Sequence, residues 1–324
     1  MPSPNLSELV TTTLRERADD LADNISENNA LLKRLKKKGN IWLVDGGRNI
    51  TMPLEYAENS TFMYYDGYEQ LNITPSDVIS AAEYEWKQAA VSISMSGKEK
   101  LMNAGKNQVI NWLTTRVSNA EKTMMNNIGT DIYSDGTGTS GKQIGGLQLL
   151  VANANTTGTV GGINAANFAF WQNTEISDAT DFGATASTSN MGAFMNSTWV
   201  LQCRGNEKPD LIVCDNAYYR LYLESLTPNQ RFTTAESAEL GFHALKYQTA
   251  DVVLDGGIGS AAPTRTMYML NTDYLRFVSH SDRNFVPIGD DRFSTNQDAF
   301  VKLIGWMGNL VCSNRRLQAV LRNA

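Results

Sequence analysis

The sequence predicts an α+β fold with unusually extended parts. Three observations predict it: apolar residues stepping by three and four over residues 106–133, a strand-period stretch over 41–95, and a strand-then-helix alternation over 209–226. Length and composition frame this reading. The chain has 324 residues, 42% of them hydrophobic, enough for a sizeable core. At roughly 150 residues per domain, one to three domains are expected. Charged residues make up only 19%, below the ~25% of an average soluble domain. Asn, Thr, Ser and Gly carry much of the polarity instead, which suits wet contacts and loop-rich β structure.

The formal net charge is −6 and the pI about 5.1. A protein that grips DNA along its phosphates presents a positive field, so the whole chain is not expected to act that way. Cys203, Cys214 and Cys312 are odd in number and lack C-x-x-C spacing. They predict free thiols in a reducing compartment and no disulfide framework. No apolar run approaches the ~18 residues of a membrane helix. The first five residues lack the charged head and apolar stretch of a signal peptide. No membrane contact is expected.

Residues 5–38 predict an amphipathic helix. Leu14, Ala18, Leu21, Ile25, Leu32 and Leu35 form a heptad-like stripe broken only at Asn28. A basic run at 33–38 and Gly39 stop it, either as a charged cap or as a contact for a partner or DNA. Strands follow at 41–44 and 50–65, with Pro53 implying an edge position. Asp66-Gly67 makes a turn, and 67–77 form a tip without lysine or arginine. Residues 78–95 return as strand. Tyr84 and Trp86 share one parity and Val91, Ile93 and Met95 the other, so a bulge or a change of neighbour is expected between them.

Residues 106–133 predict the clearest helix. Val109, Leu113, Val117, Ala120, Met124 and Ile128 form its stripe, widened by Trp112 and Met125. At 1.5 Å per residue it is close to 40 Å long. Residues 152–165 and 175–190 read as loops around an apolar patch at Phe168, Phe170 and Trp171. Residues 190–203 predict a helix carrying Met191, Phe194, Trp199 and Leu201. A buried strand at 211–214 leads to a helix through 226 capped by Asp215 or Asn216. Further strands are expected at 245–254, 266–270 and 275–278. Residues 300–321 split into two strands at Ser313-Asn314.

The motifs that could carry chemistry fail on context. Gly136, Gly138 and Gly141 match G-x-G-x-x-G, and Lys142 extends this towards a phosphate-binding loop. Gln143 stands where a Mg²⁺-ligating Ser or Thr is needed. A long helix precedes the stretch and a strand-like run is expected after it, the reverse of a nucleotide site. Asp135, Gly136 and Gly138 therefore predict a structural turn. Histidine is limited to His243 and His280. His280 sits in Ser279-His280-Ser281-Asp282, but adjacent residues do not make a triad, and a surface-loop histidine is expected. Asp19-Asp20 and Asp290-Asp291 lack a partner pattern. No catalytic residues, metal or cofactor are expected.

A lone hairpin, an over-long helix and an N-terminal arm each expose surface that a monomer cannot cover. Together they imply a homo-oligomeric lattice. The aromatic residues Tyr64, Tyr65, Tyr68, Tyr84 and Trp86 along the hairpin are the candidate subunit-interface residues, since such side chains are enriched in interface cores.

This order of parts resembles the Hong Kong 97 fold of tailed-bacteriophage major capsid proteins. The resemblance rests on the long helix, then Ser134-Asp135-Gly136-Thr137-Gly138 and Gly145-Gly146-Leu147. Pro209-Asp210-Leu211-Ile212-Val213-Cys214 before a Tyr-rich helix, and the closing residues 306–321, add to it. It departs from the pattern by Ser134 in place of Gly and by a longer insert before Gly145. The resemblance implies an arm at 1–40, an extended hairpin loop with flanking strands at 41–105, and a spine helix and peripheral domain at 106–165. An axial domain at 166–265 and a return to the peripheral domain at 266–324 follow. It implies a shell of hexamers and pentamers around double-stranded DNA, held by weak, non-specific contact, in a virion assembled in the bacterial cytoplasm. Portal and scaffold or decoration proteins are the further partners implied. The tip lacks the lysine that cross-links some members, so that chemistry is not carried over. The alternatives are an encapsulin-like compartment shell and a soluble nucleotide-binding enzyme using 136–142.

Overall fold

The computed structural model describes residues 29–98, 106–226, 244–255, 262–289, 292–293 and 298–323. The first described element is helix α1 (Ala30–Lys37). Asn29 starts it: its side-chain oxygen accepts from Leu31 N at 3.0 Å and Leu32 N at 3.2 Å. Asn29 is itself extended (φ −112°, ψ 125°), so the expected unbroken helix over 5–38 ends its continuity here. A short polar side chain that bonds local backbone favours a cap over a helix interior. The stripe from Leu14 to Ile25 lies outside the described residues. Gly39, at φ +72°, stops α1 as expected, with Asn40 N donating to Leu35 O at 2.8 Å.

Leu31, Leu32 and Leu35 are buried against the main core, each worth about 1.5–3 kcal/mol. The basic run turns partly inward. Arg34 Nε reaches Asp210 at 3.0 Å, and Lys38 Nζ reaches Asp210 at 3.2 Å and Asp273 at 2.7 Å. These cations hold α1 on its own chain.

The strands are β1 (Ile41–Val44), β2 (Ile50–Glu55), β3 (Ile79–Tyr84) and β4 (Lys87–Ser96). β2 and β3 pair antiparallel, from Ile50 with Tyr84 to Glu55 with Ile79. β4 instead pairs with β14 (Ala299–Cys312). The parity change expected near Trp86 is therefore a change of neighbour. The paired hairpin is shorter than the sequence suggests: residues 56–65, expected as strand, belong to the projecting loop.

Helix α2 (Lys106–Asp131) packs on β4, and Arg116 donates to Ser94 O. Val117, Ala120, Met124 and Ile128 form its buried stripe as expected. The side chains of residues 106–114, Val109 and Leu113 among them, lie outside the description. Residues 147–150, expected as strand-like, form the one-turn helix α3 (Leu147–Leu150). Two stretches expected as loops contain structure. A tight hairpin joins β5 (Thr159–Val160) to β6 (Ile163–Asn164). β7 (Thr174–Ser177) leads into α4 (Asp178–Phe182).

Two larger sheets organise the rest. In one, β1 pairs parallel with β12 (Leu275–Pro287), β12 with β14, and β14 with both β4 and the short β13 (Arg292–Phe293). The other contains β8 (Leu211–Cys214), β9 (Ala244–Tyr247), β10 (Ala250–Leu254), β11 (Thr266–Leu270) and β15 (Ala319–Arg322). Its order is β7-β15-β11-β8-β10-β9. β11 and β15 lie within it, although the sequence reading assigns 266–324 to the peripheral domain. A boundary at 265/266 would cut the sheet twice, between β11 and β8 and between β15 and β7. Pairing of β11 with β8 and β15 is non-local, and strand period alone does not specify it.

Side-chain alternation separates the faces of this sheet. Leu211, Val213, Tyr268 and Val320 face the core shared with α1 and α2. Ile212, Cys214, Met267 and Met269 face α5 (Met191–Gln202) and α6 (Asn216–Ser225). Asp215 caps α6, accepting from Tyr218 N at 3.0 Å and Ala217 N at 3.1 Å, as expected. Leu201, grouped with the apolar face of α5 by sequence, is exposed.

Candidate assembly surface

The hairpin has two parts with opposite surroundings. At its base, β2 alternates cleanly: Ile50, Met52 and Leu54 are buried and the residues between them exposed. Beyond Tyr56, whose N–H donates to Val78 O at 3.1 Å, the chain leaves the core. Asn59, Ser60 and Ser76 clasp the legs of the loop, with the two serine hydroxyls 2.8 Å apart. The crest is a turn in which Glu69 N donates to Asp66 O and Asp66 N to the Glu69 carboxylate, both at 3.2 Å. Gly67 sits there at φ +53°.

The candidate interface residues divide along the same line. Tyr64 (89%), Tyr65 and Tyr68 (107%) are exposed, joined by Phe62 (77%) and Ile73. Phe62 and Tyr64 meet edge to face at 5.3 Å and remain largely exposed. Tyr84 is the correction. It is 5% exposed, and its hydroxyl donates to Cys312 O at 2.8 Å. Burial drives its pKa far above the usual phenol value. It is a core residue and offers nothing to a neighbour. Trp86 is half-buried, donating Nε1–H to Gly47 O at 2.9 Å and standing edge-on to His280.

The turn after α2 fastens the hairpin to the long sheet. Gly145 N donates to Asn309 Oδ1 at 3.1 Å, and Asn309 Nδ2 donates to Glu85 O at 2.9 Å. Asp135 accepts from Thr137 N at 3.0 Å and Oγ1 at 2.8 Å, and these bonds lower its pKa. Gly136 adopts φ +76°. Gly138 does not have a positive φ; Thr139, Ser140 and Gly141 do. The structure thus moves part of the expected backbone demand from Gly138 to its neighbours. Gly146 is needed for space, since a Cβ there would lie 2.3 Å from Ile132 O. Lys142 is exposed, and the helix that follows, α3, is a single turn rather than the long helix a phosphate-binding loop opens.

His280 is not in a loop. It lies on β12 where the pairing slips between Ser279 and Asn284, and its Nδ1 accepts from Asp282 N at 3.1 Å. His243, Asp19-Asp20 and Asp290-Asp291 are outside the described residues. Among the described residues, no three His, Cys, Asp or Glu side chains gather to hold a metal ion. No helix there is long and apolar enough to cross a membrane.

Sequence reasoning missed Arg315. It is fully buried, with Nε donating to Leu150 O at 2.6 Å, Nη1 to Trp171 O at 3.0 Å and Nη2 to Asn173 Oδ1 at 3.1 Å. Its charge is met by neutral oxygens, and burial lowers its pKa. The only sequence signal, Arg315-Arg316 after Ser313-Asn314, reads as an exposed turn.

A projecting hairpin, a long helix beneath the sheet that receives it, and a six-stranded sheet with helices on one face make up the Hong Kong 97-like capsid fold. The chain is similar to the subunit in the cyanophage A-1(L) capsid asymmetric unit, at TM-score 0.67 and 16% identity, over 87% of this chain and 89% of that one. It is also similar to the capsid of the native GTA particle (TM-score 0.54, 10% identity, 89% of each chain). The capsid of Myoviridae phage XM1 matches at TM-score 0.53 and 12% identity, over 90% of this chain and 92% of that one. No protein-family model and no curated protein matches the sequence.

Proposed function

We propose that this chain is the major capsid protein of a tailed bacteriophage. It assembles with itself into hexamers and pentamers of an icosahedral shell enclosing double-stranded DNA. The observation that carries this reading is the projecting loop at 56–78 on a capsid fold: it exposes Phe62, Tyr64, Tyr65, Tyr68 and Ile73 to solvent. A patch of that kind marks an interaction site. The role is structural, without turnover, and the shell is the virion's. Portal and scaffold or decoration proteins are the further partners. Contact with DNA is weak and non-specific, consistent with the acidic chain.

The test is to express the full chain and image the product by negative stain, with nuclease-protected DNA measured in particles from infected cells. Closed shells with protected double-stranded DNA support the proposal. Shells loaded with a cargo enzyme and lacking DNA would shift it to a compartment protein. A monomer at all concentrations and salts would reject it.

A further inference from the structure

The projecting hairpin is strongly one-signed. Residues 49–86 contain seven carboxylates and no Lys, Arg or His, a formal charge of −7 against −6 for the whole chain. All seven are exposed. Among the described residues only Glu85 has an ion-pair partner, Lys87 at 3.0 Å. The crest puts exposed Tyr68 between Asp66 and Glu69. Whatever receives this crest must offer an apolar recess beside positive charge.

The chain carries such a place. A recess of about 160 Å³ opens between the base of the hairpin and the β14–β15 connection. Tyr56 and Phe170, stacked at 5.1 Å, form one wall, and Leu317 lies in its lining. Arg204 and Arg316 stand on its rim with exposed side chains. No ion pair engages either arginine among the described residues. Glu55 also lines it, so the positive potential is partly offset. The recess is smaller than the roughly 300–1,000 Å³ of small-molecule sites and suits a single side chain. Exposed Tyr68 shows that a chain's own crest does not occupy its own recess.

We infer that the recess bounded by Arg204 and Arg316 receives the Asp66–Glu69 crest of a second copy, with the Tyr68 ring inserted and the two carboxylates on the arginines. The guanidinium groups suit this role, since they pair with carboxylates in a fixed fork and also stack on aromatic faces. Crest and recess are different surfaces of one chain. The contact is therefore head-to-tail, the kind that closes into rings. This inference rests on the reading of the chain as a self-assembling subunit and names the seat of the hairpin in it.

The experiment uses two full-length proteins, both with Cys203→Ser: one carries Tyr68→Cys, the other Arg316→Cys. Each is mixed with the other under mild oxidation. The expected result is a disulfide-linked mixed dimer, far above a control in which Lys142→Cys replaces Arg316→Cys. Cross-linking no greater than the control overturns the inference, even if wild-type shells form normally. Cross-linking without shells retains it and rejects the capsid reading. Charge exchange gives a second readout. Arg204→Glu with Arg316→Glu weakens the contact by about tenfold or more, and adding Asp66→Lys and Glu69→Lys to the same chain restores assembly. Failure of that restoration, with the protomer still folded, also counts against the inference.

Discussion

The six-stranded sheet and the hairpin are both β structure, yet they solve burial in opposite ways. β8 and β11 are buried along their whole length because one face meets α5 and α6 and the other the main core. The hairpin buries one face of its base and leaves the loop beyond Tyr56 bare. Two strands alone are marginal in water, so the base leans on its own chain while the crest stays exposed. Under the proposed function, folding and assembly fall to different parts of a single hairpin, divided at about Tyr56.

Mutations at the two ends of this division should behave differently. The largest loss is expected at Arg315, deep on the folding side. Arg315→Ala removes the guanidinium donor from Leu150 O and Trp171 O and leaves Asn173 Oδ1 with Ala152 N alone. Unpaired buried acceptors and the void together cost about 3–5 kcal/mol, measurable by urea unfolding of the protomer. A backbone effect comes next. Gly136→Val should cost about 1–2 kcal/mol because φ +76° is left-handed. Gly138→Val should cost less: its φ is not left-handed, and a Cβ there meets the movable Gln143 side chain. Equal losses at both positions would remove the distinction.

Tyr84 and Tyr68 sharpen the comparison most economically, since both are hairpin tyrosines. Tyr84→Phe removes a buried hydrogen bond to Cys312 O and should lower protomer stability by about 1 kcal/mol. Tyr68→Ala should leave the melt within about 0.5 kcal/mol and reduce assembly. Sequence alone placed both on one list. Strand period assigns a face, but it does not reveal whether that face meets the chain's own core. The same limit hid Arg315: nothing local distinguishes it from exposed Arg316, and only the non-local approach of residues 150, 171 and 173 does. What sequence did resolve was local and periodic: the stripe of α2, the Asp215 cap, the Gly39 stop and the break at Ser313-Asn314.

The smallest effect concerns the arm. Burial would raise the Asp210 pKa, but Thr272 N and Oγ1, each at 2.7 Å, with Lys38 and Arg34, hold it below the usual carboxylate value. A carboxylate lowered in the folded state stabilises fully above its unfolded pKa and loses that contribution as pH falls through the folded value. Asp210→Asn should therefore flatten the acid limb of the protomer's stability curve below about pH 4. An unchanged limb would show that Asp210 does not control the docking of α1.

The central claim, that the crest serves assembly and the base serves folding, is tested most directly by deleting residues 67–76 and closing the loop with a short glycine linker. The protomer is expected to keep its far-UV circular dichroism and a cooperative melt, while sedimentation velocity shows monomers and no shells. Intact shells from the deletion would contradict the account, and so would loss of the cooperative melt, which would place the crest in the protomer's own core.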